Sequence, residues 1–163
     1  MILTLFMSAF VINGLHASNQ RKANKDTDAF RYDIEYITTG ANDMLLAKVW
    51  SYSKNAKIAI ELCKKNAIHG VMFKGYTGTG GGTISQSPLV KDAGVYSEKR
   101  DFFNSFFADG GQYMRYVSAV ADGTEVRKVG KEYKTGVVVT VNKGLLRKDL
   151  EDAGIIKGLT TGF

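Results

Sequence analysis

The chain has 163 residues, 44% apolar and 23% charged, which suits one domain with its own core and excludes a disordered or fibrous chain. Its formal net charge is +6, yet the basic residues stand singly or in pairs such as Lys64-Lys65 and Arg127-Lys128, so the charge reads as a solvated basic surface and not as a nucleic-acid tail. Cys63 is the single cysteine, which rules out an internal disulfide and any zinc site built on cysteines.

Taken in chain order, residues 2–15 form an apolar run from Ile2 to Leu15, with Gly14 to end it and Ala17 as a small residue before a cut. The run is too short to span a bilayer as a helix and has the length of a signal-peptide core, although no Lys or Arg precedes it. Residues 1–17 are therefore expected to be a signal peptide. No cysteine stands near the cut, so a lipid anchor is not expected. Residues 18–29 are polar without periodicity and are expected to be a disordered spacer. A single α+β domain is expected over residues 30–163.

Within it, Phe30, Tyr32, Ile34 and Tyr36 alternate with Arg31, Asp33 and Glu35, the period of a half-buried strand. A turn at Thr39 to Asp43 leads to a second strand, Met44 to Tyr52. Ser53 or Asn55 can cap the next helix. Its Ala56, Ala59, Ile60, Cys63 and Ala67 share one face, with Ile58 and Leu62 beside it, and the small residues permit close approach to a sheet. Cys63 reads there as a buried small hydrophobe. His69-Gly70 is expected to end the helix, and Val71 to Phe73 to begin a short buried strand.

Gly75 to Pro88 is a long Gly-rich loop, and Leu89 to Tyr96 reads as irregular. Ser97 to Ala108 is expected as one helix with Phe102, Phe103, Phe106 and Phe107 on a broad face toward the core, stopped by Asp109-Gly110-Gly111. Gln112 to Val120 reads as a strand, and Asp122-Gly123 as a hairpin turn. Glu125 to Val129 and Glu132 to Val141 pair around Gly130-Lys131. Asn142 caps a last helix, Lys143 to Asp152, with Leu145, Leu146 and Leu150 inward, Gly154 at its end and Ile155-Ile156 packing back. The expected fold class is α+β, a mainly antiparallel sheet with two to three helices packed on one face.

The residues with chemical potential are few. Beyond the leader, His69 is the one histidine, so a Ser-His-Asp or Cys-His hydrolase could use only His69. Its place between Ile68 and Gly70 favours a capping or buried role. No HExxH or CxxC spacing occurs, and neither a metal nor a cofactor is expected. The loop Tyr76, Thr77, Gly78, Thr79, Gly80, Gly81, Gly82, Thr83 follows a predicted strand, as phosphate loops do. No Lys-Ser/Thr closes it, and no helix starts at its end to face an anion, so it reads either as a mobile lid or partner-ordered loop, which supplies the candidate binding residues, or as a plain disordered loop. Tyr113, Arg115 and Tyr116 suggest a basic-aromatic platform, but export argues against a nucleic-acid partner.

Three stretches carry a resemblance. They are Leu45 to Ser53 leading into the Ala56, Ala59 and Lys64-Lys65-Asn66-Ala67 helix, Phe102 to Gly111, and Gly136 to Val141 followed by Leu145 to Ile156. Together they resemble small exported proteins of unknown function in Bacteroidetes-type bacteria. The order of elements is distantly similar to the N-terminal domain of the flagellar assembly protein FlgT and to small outer-membrane lipoproteins. The resemblance implies an envelope-associated binding or assembly role, and it supplies no catalytic residues.

The expectation is an exported domain, periplasmic or outer-membrane-associated, that binds a protein or cell-envelope component without catalysis and has no transmembrane span beyond its leader. The alternatives are a structural subunit of a larger homo-oligomeric, phage or secretion assembly, and a hydrolase using His69.

Overall fold

Alternating apolar residues and a tight left-handed turn build the first hairpin. In the computed structural model, which describes residues 31–77, 85–108 and 110–158, β1 (Tyr32–Thr39) pairs antiparallel with β2 (Met44–Ser53). A 3-10 turn, Ala41–Asp43, joins them, with Asn42 at φ 55° and Asp43 at φ 60°. Asn and Asp tolerate this region better than most residues, which is why the turn sits there. Residues 1–30, the predicted leader and spacer, lie outside the described residues.

The chain then forms α1 (Ala56–His69), capped by the Asn55 side chain, which accepts from the Lys57 amide at 2.9 Å. The helix does not stop at His69-Gly70. Gly70 keeps helical angles (φ −63°, ψ −45°), and the chain continues as a π-helical turn over Gly70–Lys74. Val71 to Phe73 is therefore not a strand. A Cβ at Gly70 would fall 2.1 Å from Ile34 Cδ1, so glycine here serves close packing on β1 and not termination. The real stop is Gly75 at φ 70°, whose amide bonds the Gly70 carbonyl at 2.8 Å.

The predicted Ser97 to Ala108 helix is two pieces, α2 (Val95–Glu98) and α3 (Arg100–Phe106), broken at Lys99. Phe103, Phe106 and Phe107 are buried in the core as expected, with Phe102 packed partly exposed against it. Gln112–Tyr116 is a 3-10 turn and not a strand. Tyr113 and Tyr116 lie three apart and both point inward, a spacing that a helical turn satisfies and an alternating strand does not. Neither ring is available as a surface platform.

β3 (Val117–Val129) and β4 (Glu132–Asn142) form the second hairpin around Gly130-Lys131, as the sequence predicts. Asp122-Gly123 is no hairpin turn. It belongs to an enlarged bulge inside β3, because the register jumps from Ala119↔Val139 to Thr124↔Val137. Gly123 fits there because a Cβ would meet the Val138 side chain at 2.6 Å. Asn142 caps α4 (Lys143–Asp152), accepting from the Leu145 amide at 3.0 Å.

The strands form one antiparallel sheet in the order β1-β2-β4-β3, with the helices on one face, the α+β architecture expected. Val49, Val137, Val139 and Val141 from the central pair meet Cys63, Ala67 and Ile68 of α1, Leu146 and Leu150 of α4, and the phenylalanines. No described helix is long and apolar enough to cross a membrane.

The opposite face of the sheet carries Trp50, the single tryptophan, lying over Gly136. A Cβ at residue 136 would sit 2.7 Å from the indole ring. Gly136→Val should displace that ring and cost about 1–3 kcal/mol, as overpacking does. Chemical denaturation would read the loss, and a shift of the Trp50 emission would accompany it.

Candidate functional site

Two local arrangements meet at the stems of the Gly-rich loop. The first closes the loop. Tyr76 and Gln86 form an antiparallel bridge, with Tyr76 N to Gln86 O at 3.0 Å and Gln86 N to Tyr76 O at 2.8 Å. Gly75 permits this crossing, since a Cβ there would lie 2.3 Å from the Gln86 carbonyl oxygen. The Tyr76 ring stacks on Tyr36 at 5.2 Å between centroids, and its hydroxyl donates to Gln86 Oε1 at 2.5 Å. The same oxygen accepts from Lys143 Nζ at 2.5 Å, and Lys143 also donates to Asp43 Oδ1 at 2.9 Å.

Lys143 has a side chain only 4% exposed. A lysine so deeply placed needs partners for its charge, and here they are one carboxylate and one amide oxygen. It thereby ties the loop base to α4 and to the β1–β2 turn. Of the predicted binding residues, Tyr76 is half-buried in this cluster and Thr77 is exposed beside it. Gly78, Thr79, Gly80, Gly81, Gly82 and Thr83 lie outside the described residues.

The second arrangement is a pocket of about 310 Å³, lined by His69, Phe73, Pro88, Val90, Lys91, Asp92, Ala93 and Tyr96. Both loop stems enter its wall, Phe73 just before Gly75 and Pro88 at the far end. The π turn positions it, because the Val71 and Met72 carbonyls accept from the Leu89 and Val90 amides at 3.2 and 2.9 Å. Phe73 packs against His69, Tyr96 and Phe103, with centroids 4.9, 5.4 and 5.2 Å away. The floor is thus a preformed set of rings. At the rim, Asp92 Oδ1 accepts from the Gly94 amide at 2.8 Å and holds the turn into α2.

His69 is 7% exposed. Burial, with help from the nearby Lys74 cation, lowers its pKa to about 4, so the ring is neutral at pH 7. Burial holds the Tyr32 phenol protonated well above its ordinary range. That hydroxyl lies 2.6 Å from His69 Nδ1, in a hydrogen bond whose direction follows the tautomer of the ring. In a Ser-His-Asp triad that nitrogen donates to a carboxylate, whereas here its partner is a phenol. Among the described residues no group of three or more His, Cys, Asp or Glu side chains could hold a metal ion. Cys63 is fully buried, and burial raises its thiol to about 11, which leaves it a protonated, unreactive packing residue.

Neither the pocket nor Lys143 was expected from the sequence. Pro88-Leu89-Val90, an apolar segment directly after a Gly-rich loop, was the available signal for the pocket. Nothing local marks Lys143, whose role depends on Asp43 and Gln86 arriving from distant parts of the chain. No family model matches the chain, and no curated protein or solved structure matches it either.

Lys143→Met keeps the length and removes the charge. It should cost about 1–3 kcal/mol through the partners left unpaired. Amide exchange at Tyr76 and Gln86 should accelerate well beyond that of the β2–β4 ladder, and uniform exchange would show that Lys143 does not pin the loop. His69 supplies a pH test. Its pKa of about 4 lies below the unfolded value of 6.5, so the unfolded state binds the proton first and stability falls as pH drops from 6.5 to about 4. The loss should approach about 3 kcal/mol by pH 4. His69→Gln should flatten that segment of a stability-versus-pH curve.

Proposed function

We propose that the chain is an exported, envelope-associated binding domain that works without catalysis and captures an apolar group of a protein or envelope component. The observation that carries this is the pocket of about 310 Å³ whose wall includes both stems of the Gly-rich loop. Tyr76, Gln86 and Lys143 hold the base of the loop in place beside the pocket. Preformed pockets bind at lower ordering cost than pockets assembled on contact.

The pocket chemistry suits an aromatic side chain or a short acyl chain. Phe73, Tyr96, Pro88 and Val90 supply apolar walls, and neutral His69 adds a polar edge without a buried charge. Lys91 is exposed at the rim and makes no ion pair with a described residue, so an acidic group beside the apolar one is favoured. Export rests on the apolar run of residues 2–15, and the resemblance to small exported proteins supports the same compartment.

The test uses the full chain expressed with its leader in a Gram-negative host, where it should be recovered from the envelope fraction without residues 1–17. Titration of that product with octanoate should then shift amide resonances of Phe73, Val90, Ala93 and Tyr96. Ala93→Trp, which fills the pocket from an exposed position, should weaken binding at least tenfold. Recovery in the cytoplasm would sink the compartment, and unshifted pocket resonances would sink the site.

A further inference from the structure

β3 is the outer strand of the sheet, paired with β4 on one side and with no described strand on the other. It is 13 residues long and almost wholly exposed, with Val126 49% and Val129 51% accessible. Exposed edges of this kind invite pairing with another strand, and the register of any such pairing can be worked out from the backbone.

The β3–β4 hairpin turns on two residues, Gly130 and Lys131, with Gly130 at φ 62° as a type II′ turn requires at its first central position. In such a hairpin the flanking residues Val129 and Glu132 exchange both backbone hydrogen bonds, and bonded pairs then alternate along the ladder. Arg127 and Glu125 therefore bond to β4. The amides and carbonyls of Thr124, Val126 and Lys128 point the other way, off the edge. The pairable stretch is bounded by the turn at Gly130 and by the bulge ending at Gly123. Val126 stands at its centre.

Side-chain charge then selects among the two-fold registers. An axis at Glu125 would oppose two carboxylates, one at Arg127 two guanidinium groups, and one at Lys128 two ammonium groups. An axis at Thr124 runs the partner into the bulge. An axis at Val126 places each Val126 on its counterpart and each Glu125 opposite the other copy's Arg127, in both halves. Both side chains are accessible, Glu125 at 46% and Arg127 at 68%. Backbone donors, strand boundaries and charge thus agree on one register.

We propose that two copies of this chain associate through β3, antiparallel about a two-fold axis at Val126, which merges two four-stranded sheets into one. The axis is normal to the sheet, so both helical layers lie on the same side. Mutual backbone bonds at Val126, and between Thr124 and Lys128 in each half, supply about six ladder hydrogen bonds. The contact is an edge pairing without a large apolar area, so association in the micromolar range is expected. It is independent of the pocket and of the compartment.

Val126→Pro removes a backbone donor that β4 does not use and should leave the fold intact. Sedimentation equilibrium of the full chain should show a concentration-dependent dimer, and V126P should be monomeric at every concentration with an unchanged melting midpoint. R127E should weaken the dimer at least tenfold, and the double exchange E125R/R127E should restore it. V126C should form an intermolecular disulfide under mild oxidation, while buried Cys63 should stay reduced. A wild-type chain that remains monomeric at several hundred micromolar overturns the proposal. So does a V126P variant that still dimerises, or a charge exchange that fails to rescue R127E.

Discussion

Helix α1 lies so close to the β2–β4 pair that the Cys63 thiol reaches two strand carbonyls, Val49 O at 3.2 Å and Thr135 O at 3.3 Å. This approach depends on small side chains, because Ala59, Cys63 and Ala67 let the helix axis settle onto the central strands. Asn66 reaches across the same seam, its amide donating to Ser51 Oγ at 2.9 Å. Polar groups in such a seam constrain how the helix can slide, since a shift of one turn would strand Asn66 and Ser51 among valines. The position of α1 therefore fixes where its last residue falls. That residue is His69, held against Tyr32 at the start of β1.

From that anchor the rest follows. The helix runs on through Gly70, where the missing side chain leaves room for Ile34. It ends in a π turn, and the carbonyls of a last helical turn have no partner within the helix. Two of those carbonyls bind Leu89 and Val90, which brings the far stem of the Gly-rich loop back beside the near one. The pocket is the space left between this returning segment and the rings of His69, Phe73 and Tyr96. Its existence is a consequence of the small-residue face on α1, some distance away.

The sequence made the regular elements legible wherever one face is buried and one is wet. β1, β2, β4, α1 and α4 were readable from periodicity and from the Asn55 and Asn142 caps. It misled where glycine has more than one use. Gly70 looks like a helix stop and acts as a packing gap; Gly123 looks like half of a hairpin turn and acts as a clearance for Val138 within β3. The aromatic residues misled for a related reason. Tyr113 and Tyr116 suit a strand by propensity, yet their burial three residues apart is decided by Phe106 and Phe107 at the end of the preceding helix and by the distant Lys65. Of the predicted binding loop, the stems proved informative, through contacts that no local pattern encodes.

The net charge of +6 also reads differently once the strands are in register. On the open face of the sheet Lys48, Arg127 and Lys134 lie over the Trp50 ring, 4.7, 5.4 and 5.1 Å from its centre, and leave it only 6% exposed. Acids match them there. Glu125 pairs with both Lys48 and Arg127, Asp33 with Lys134 at 3.4 Å and Glu132 with Arg31 at 3.0 Å, while Glu35 accepts from the Trp50 indole at 2.7 Å. Contact with Lys48 first, and then with Arg127, holds the Glu125 carboxyl below its ordinary range. A face so nearly neutral has no surplus charge to offer a phosphate backbone, whatever the sum over the whole chain. Its ion pairs run outward from Trp50 to the β3 edge, where Glu125 and Arg127 flank Val126. The charges that cover the tryptophan within one copy are thus the charges that would choose the register of a second.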